Sequence, residues 1–243
     1  MKLMKYSRFI IPLAFMGCLE AEVHNVDMDI DADGLMTSYE EEIGTNPEDA
    51  DSDGDGYEDG DELDKGFDPV DEEDYPYIGE YPIARCDPSA TPTGHRVGQI
   101  AEDFALTDQH GEVVSLSDFC GKVVLLEASA FWWGSCRSSA SSHQAWYDEM
   151  KDRGFIVITL MAENSAGQTP SVEDLKWWAD QYGLTHPVVA DANFEVALRF
   201  LRADPSFTGN IGLPNLQLLS PGQQVESVGS NVQKENVEAY LPD

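Results

Sequence analysis

The sequence predicts an α/β fold, a mixed sheet with helices on both faces, preceded by an acidic segment built as a metal-binding repeat. Three observations carry this. From Val97 onward, apolar runs of strand length alternate with segments of helical period and cap residues. The last two strand-length runs are joined by a tight turn at Pro221-Gly222, so the sheet ends in an antiparallel hairpin. Ahead of all this, carboxylates recur at fixed positions with an offset of 22 residues.

The charge is concentrated in that leading segment. The chain of 243 residues carries a formal charge of −32. Between Glu20 and Glu80 lie 25 of its 46 acids against one base, Lys65. Phosphate recognition needs the opposite sign, so nucleic acid is excluded as a partner, whereas divalent cations suit such a stretch. The first residues read as an export signal: Lys2, Lys5 and Arg8, then the short apolar run Phe9 to Met16, then Gly17-Cys18. That run is too short to span a bilayer. The arrangement resembles a bacterial lipoprotein signal over residues 1–17, which implies lipidation of Cys18, a short tether over 18–26, and a place on a membrane of the cell envelope.

Residues 27–74 hold the repeat. Asp29-x-Asp31-x-Asp33-Gly34 followed by Glu40 recurs as Asp51-x-Asp53-x-Asp55-Gly56 followed by Glu62. Carboxylates at loop positions 1, 3 and 5, a glycine at the sharp turn and a glutamate at 12 suit a hard cation with many oxygen ligands. Position 7, Leu35 and Tyr57, gives its backbone carbonyl, so its side chain is free to be apolar. Ca2+ is the expected ion. With Gly44-Thr45-Asn46-Pro47 recurring as Gly66-Phe67-Asp68-Pro69, the segment resembles bacterial thrombospondin type 3 repeats, which implies calcium-stiffened loops with little apolar core. Residues 75–96, rich in Pro, Tyr and acid, read as a linker.

The C-terminal domain, 97–243, opens on two short strands around the polar turn Gln109-His110-Gly111-Glu112. Val123 to Ala130 is apolar enough to be a buried strand. A helix from about Cys136 to Lys151 stops at Gly154, and Phe155 to Met161 is a second buried strand. Ser171 and Asp174 form a capping box for a helix that ends at Tyr182, before Gly183. Pro187 to Asp191 gives a strand and Phe194 to Leu201 a helix. The hairpin of Leu216–Leu219 and Gln224–Val228 leads to a last helix from Ser230 or Asn231 to near Leu241.

Between the first buried strand and its helix lies Trp132-Trp133-Gly134-Ser135-Cys136-Arg137. A helix N-terminus offers unpaired N–H groups and a partial positive charge, both of which favour thiolate over thiol. The segment resembles the active site of the thioredoxin-like superfamily, in its redoxin or TlpA-type (AhpC/TSA-related) branch, whose pattern is Trp-Cys-Gly-Pro-Cys and then Arg or Lys. Trp132, Gly134, Cys136 and Arg137 match; Ser135 replaces the proline and Trp133 replaces the attacking cysteine. The resemblance runs over 97–243 and implies a thioredoxin-like fold. It also implies a cis bond at Pro214, in Gly212-Leu213-Pro214, lining a groove where family members pair with a substrate chain. Glu127, six residues before Trp133, takes the place of the family's buried acid.

With Cys136 in the motif and Cys18 lipidated, the resemblance leaves Cys86 and Cys120 as the expected disulfide in an oxidising compartment. His143 is expected on the surface of the motif helix; Trp146, Trp177 and Trp178 are expected to pack inside. His95, His110 and His186 lack metal-site spacing, and no serine has a Gly-x-Ser-x-Gly context. The implied function is thiol–disulfide exchange with protein thiols or disulfides, in an exported protein with no organic cofactor. The family mechanism needs two thiols, so Trp133 leaves two other readings open. One is an inactive binding module that keeps the groove. The other is a selenocysteine at 133 whose UGA codon was written as Trp.

Overall fold

The computed structural model describes residues 27–72, 74–84 and 91–242. The export signal, Cys18 and Cys86 lie outside these. Among the described residues, no helix is long and apolar enough to cross a membrane. The chain divides into two units, Met1–Tyr75 and Pro76–Asp243.

The first unit is two loop–helix repeats, with helices α1 (Thr37–Ile43) and α2 (Asp59–Lys65). Each ends on a glycine in the left-handed region, Gly44 at φ 97° and Gly66 at φ 87°, which only a residue without Cβ adopts cheaply. Seven residues, about two turns, are too little helix to stand alone, and among the described residues no apolar cluster forms in this unit to hold it. The loops supply the order.

The second unit holds the sheet. Strands β1 (Ala105–Thr107) and β2 (Val113–Ser115) form a separate antiparallel pair. The main sheet takes β3 (Val123–Ala130), β4 (Phe155–Glu163), β5 (Val188–Ala190), β6 (Asn215–Ser220) and β7 (Gln224–Gly229). Their spatial order is β5-β4-β3-β6-β7, parallel across the first three and antiparallel across the last three. All eight residues of β3 are buried, Glu127 and Ser129 among them, as its largely apolar sequence requires of a central strand covered on both faces. Helices α3 (Gly134–Met150), α4 (Val172–Tyr182), α5 (Glu195–Ala203) and α6 (Lys234–Glu238) complete the unit. The Ser171–Asp174 capping box forms as expected: the Asp174 N–H donates to Ser171 Oγ at 3.2 Å and the Ser171 N–H to Asp174 Oδ2 at 3.0 Å. This is a thioredoxin-like fold.

Four expectations need correction. Residues 75–96 are not simply a linker. Tyr77 and Tyr81 are 6% and 3% exposed within the core, where their hydroxyls donate to Asp118 at 2.6 Å and Asp108 at 2.8 Å. Burial of two aromatic rings contributes about 2 kcal/mol each, enough to hold this stretch against the domain. The last helix is only Lys234–Glu238, because Gln233 and Asn236 form the capping box and Ser230 to Val232 precede it as non-helical chain. Trp178 is buried as expected, but Trp177 is 54% exposed. His143 is not on the surface; it is 5% exposed.

Cys120 is disulfide-bonded and Cys136 is a free, buried thiol. The expected partner of Cys120, Cys86, is outside the described residues.

Candidate functional site

The site is built where β3 runs into α3. Trp133 is the N-cap of α3, with extended backbone at φ −91° and ψ 119°. Gly134 and Ser135 follow, so Cys136 is the third helical residue. The cap position is exposed and the third position faces inward. Trp132 and Trp133 are 44% and 42% exposed, and Cys136 is 0% exposed. The Cys136 side chain joins an apolar cluster with Phe131, Met161, Leu175 and Trp178. Burial pushes its thiol pKa up, opposed by hydrogen bonds with Ser129 and the Ala130 backbone. A thiol held neutral and out of water is a poor attacking group.

The two indoles meet edge to face at 5.4 Å. The Trp132 Nε1–H donates to Glu163 Oε2 and the Trp133 Nε1–H to the Leu213 carbonyl, both at 2.6 Å. Leu213–Pro214 is a cis peptide bond. Trp133 therefore sits across the motif from the proline loop and occupies the backbone acceptor just before Pro214.

Beneath the helix, Glu127 is 1% exposed. A carboxyl group this deep needs partners, and α3 supplies both. The Ser139 hydroxyl donates to Glu127 Oε1 at 2.6 Å, and His143 Nδ1 lies 2.8 Å from Oε2. Ser139 Oγ is also 3.1 Å from the Cys136 carbonyl oxygen. Glu127, Ser139 and His143 thus tie β3 to the first three turns of α3. Sequence reasoning found Glu127 and missed both partners. Their spacing on α3, three and seven residues after Cys136, places them on one helical face, which was the available signal.

Next to His143 on α3, Gln144 holds a second buried histidine. His186 Nδ1 donates to Gln144 Oε1 at 2.9 Å, and its Nε2 accepts from the Thr159 hydroxyl at 3.0 Å. Both partners fit the neutral ring. Full burial, aided by the nearby His143, pushes His186 down to about 3. The unfolded ring titrates near 6.5, so between these values the unfolded state binds more protons. The stability contributed by His186 is therefore complete above about pH 6.5 and falls as pH drops toward 3. Urea unfolding of wild type and His186→Gln should show a wild-type excess slope of up to about 1.4 kcal/mol per pH unit in that window. Parallel pH profiles for the two proteins would refute the assignment.

In the first unit the two loops fold alike. Asp29 Oδ1 and Oδ2 accept from the Ala32 and Gly34 N–H groups at 2.7 and 3.1 Å. Asp51 accepts equivalently from Gly54 and Gly56 at 2.8 and 3.0 Å. Carboxylate oxygens of Asp29, Asp31 and Asp33 lie within 4.8 Å of one another, as do those of Asp51, Asp53 and Asp55. Asp31 Oδ2, Asp53 Oδ2, Asp55 Oδ2 and both carboxyl oxygens of Glu40 and Glu62 are buried without a hydrogen bond. Burial and the surrounding carboxylates push Glu62 up to about 8. The Leu35 and Tyr57 side chains are half-buried, and Tyr57 stacks on Tyr75 at 6.0 Å. Carboxyl groups clustered in each loop, several of them buried without a hydrogen bond, are oxygen donors of the kind a hard cation takes.

Residues 97–226 match the family model of the AhpC/TSA family. The chain belongs to the AhpC/TSA family. Among curated proteins, it is 30% identical over 151 residues to the thiol-disulfide oxidoreductase ResA of Geobacillus kaustophilus, covering 61% of this chain and 78% of that protein. It is 27% identical over 146 residues to ResA of Bacillus cereus, covering 60% and 76%. The thioredoxin-like protein YneN of Bacillus subtilis is 34% identical over 98 residues, 40% of this chain and 55% of that one.

Proposed function

We propose that this AhpC/TSA-family protein is an exported thioredoxin-fold protein of the thiol–disulfide oxidoreductase type, lipid-anchored at Cys18 in the bacterial cell envelope and carried on a calcium-stiffened spacer. Its partners are protein thiols or disulfides. The motif retains the resolving thiol Cys136, the buried acid Glu127 and the Pro214 loop, and has an indole where the attacking thiolate belongs. The observation that carries this reading is the split between the two motif positions: the exposed helix cap holds Trp133, and the only free thiol among the described residues has no exposed surface. Complete dithiol exchange needs an attacking and a resolving sulfur. The chain as written therefore holds a partner in the groove without turning it over. Cys136 should react with a small aromatic disulfide at least about 10²-fold more slowly in the native protein than after unfolding, since burial withholds the thiolate. A native rate close to the unfolded one would instead place redox chemistry on Cys136 alone.

A second reading follows from the same geometry. Position 133 has the exposure and the helix-cap placement of an attacking chalcogen, so selenocysteine there would complete the motif. The codon for residue 133 decides it: UGA supports selenocysteine and UGG removes it.

For the spacer, Ca2+ fits the orphaned carboxyls. Asp29, Asp31, Asp33 and Glu40 with the Leu35 carbonyl would hold one ion. Asp51, Asp53, Asp55 and Glu62 with the Tyr57 carbonyl would hold another. Each ion neutralises carboxylates that otherwise repel, and so orders residues 27–70. Calorimetry should give calcium uptake with Kd of roughly 10⁻⁴ to 10⁻³ M, the range of extracellular modules. Glu62→Gln should abolish uptake at the second loop only. No heat of calcium binding in the wild-type protein would end this part of the reading.

A further inference from the structure

The second repeat brings a carboxylate to the first. Carboxylate oxygens of Asp33, Glu40 and Asp59 also lie within 4.8 Å of one another, although Asp59 belongs to the second repeat. Asp33 is 8% exposed and Glu40 and Asp59 are 0% exposed. Both oxygens of Glu40 are without a hydrogen-bond partner in this cluster. Three carboxyl groups meet there, while Lys65, the one base between Glu20 and Glu80, sits 3.8 Å from the exposed Asp61.

The approach of the second repeat to the first is close and specific. The Gly60 N–H donates to Asp33 Oδ2 at 3.1 Å across 27 residues of sequence. A Cβ added at Gly60 would lie 2.1 Å from the Asp33 carbonyl oxygen, so no other residue fits without moving one repeat off the other. Asp59 Oδ1 and Oδ2 accept from the Ser52 N–H at 2.8 Å and the Ser52 hydroxyl at 2.6 Å. Each carboxylate oxygen has a second lone pair, so these bonds orient Asp59 and leave it able to take a cation. The corresponding residue of the first repeat is Thr37, whose hydroxyl instead donates to the Met28 carbonyl at 2.6 Å.

We propose that Asp59 is a ligand of the first repeat's metal site, where a divalent cation of the calcium class held by Asp33, Glu40 and Asp59 fastens the second repeat onto the first. The inference rests on the calcium reading and adds to it a ligand from outside the loop. Asp33, shared between this group and the Asp29–Asp31–Asp33 group, links the bridge to the loop's own carboxylates. Among the described residues, the second loop's group of Asp51, Asp53 and Asp55 includes no carboxylate from the first repeat, so the two sites are unequal.

Calorimetric titration of the full chain with calcium chloride alone tests this, using three variants. Asp59→Asn removes the ligand charge. Ser52→Ala removes only the hydroxyl that orients it. Asp61→Asn removes an exposed acid from the same helix. Asp59→Asn should weaken the tighter class of site by roughly tenfold or more, as expected for loss of one charged ligand. The other class should be unchanged, and Ser52→Ala and Asp61→Asn should stay within about twofold of wild type. Wild-type affinity in Asp59→Asn, or an equal loss in Ser52→Ala, overturns the bridging ligand and leaves the loop sites intact. Failure of the wild-type chain to take up calcium overturns both together.

Discussion

Trp133→Cys should turn a protein inactive in insulin reduction into a measurable disulfide reductase, with a rate at least about 10²-fold above the wild-type background. The introduced thiol would occupy an exposed helix cap, where unpaired N–H groups and the helix dipole lower its pKa. The substitution also removes the indole N–H from the Leu213 carbonyl, freeing backbone beside Pro214 for a substrate chain. The introduced thiolate attacks one substrate sulfur and expels the other as thiolate, leaving a mixed disulfide. Cys136 then gives up its proton and attacks the introduced sulfur, releasing the second substrate thiol and closing an intramolecular disulfide. Glu127, the buried carboxyl group on the strand beneath this helix, would accept that proton directly or through one water, and the departing substrate thiolate would then take it up. Cys136→Ser on this background should accumulate the mixed disulfide and so capture the partner. Trp133→Ala provides the control, since it frees the same carbonyl without supplying sulfur, and should stay inactive. Robust reduction by the unaltered protein would place the chemistry elsewhere. No recovery in a folded Trp133→Cys protein would mean that the site has diverged beyond one missing atom, which favours the binding module.

The features legible in the sequence are those set by local period and spacing. The largely apolar run of β3, the Ser171–Asp174 box and the 22-residue repeat each declare themselves within a short stretch of chain. What was not legible depends on partners far away. His143 sits on a helix with many serines and looks solvated; its burial is decided by Glu127, 16 residues earlier on the strand beneath. Trp177 and Trp178 are adjacent and chemically alike, and only the direction in which α4 packs sends Trp178 inward. Tyr77 and Tyr81 lie in acidic, proline-rich chain that reads as linker, yet Asp118 and Asp108 are waiting for their hydroxyls. Asp59 resembles an ordinary first-turn acid of α2 until the first loop is folded against it. In each case the residue is polar or aromatic, and its place depends on a hydrogen-bonding or charged partner that a sequence window does not contain.

His143→Ala should destabilise the C-terminal unit by about 3 kcal/mol, because it removes one of two partners from a carboxyl group in a dry interior. The pair is closed on both sides: His143 and Glu127 side chains are 6% and 2% exposed at 2.8 Å. Water therefore cannot replace the imidazole without opening the contact between α3 and β3. The His143 ring also packs at 4.9 Å against Trp146, so truncation leaves a void as well as an orphaned oxygen. Two further variants separate these effects. His143→Gln keeps a donor within reach and should recover part of the loss. Glu127→Leu combined with His143→Leu removes both polar groups and fills the space, and should be closer to wild type than His143→Ala, since a buried polar pair and an apolar pair of similar volume are often near-equal in stability. Urea unfolding at pH 7, followed by Trp fluorescence, measures all four proteins. A loss below about 1 kcal/mol in His143→Ala would mean that Ser139 alone satisfies Glu127. In that case the histidine would be no more than a packing residue on the inner face of the motif helix.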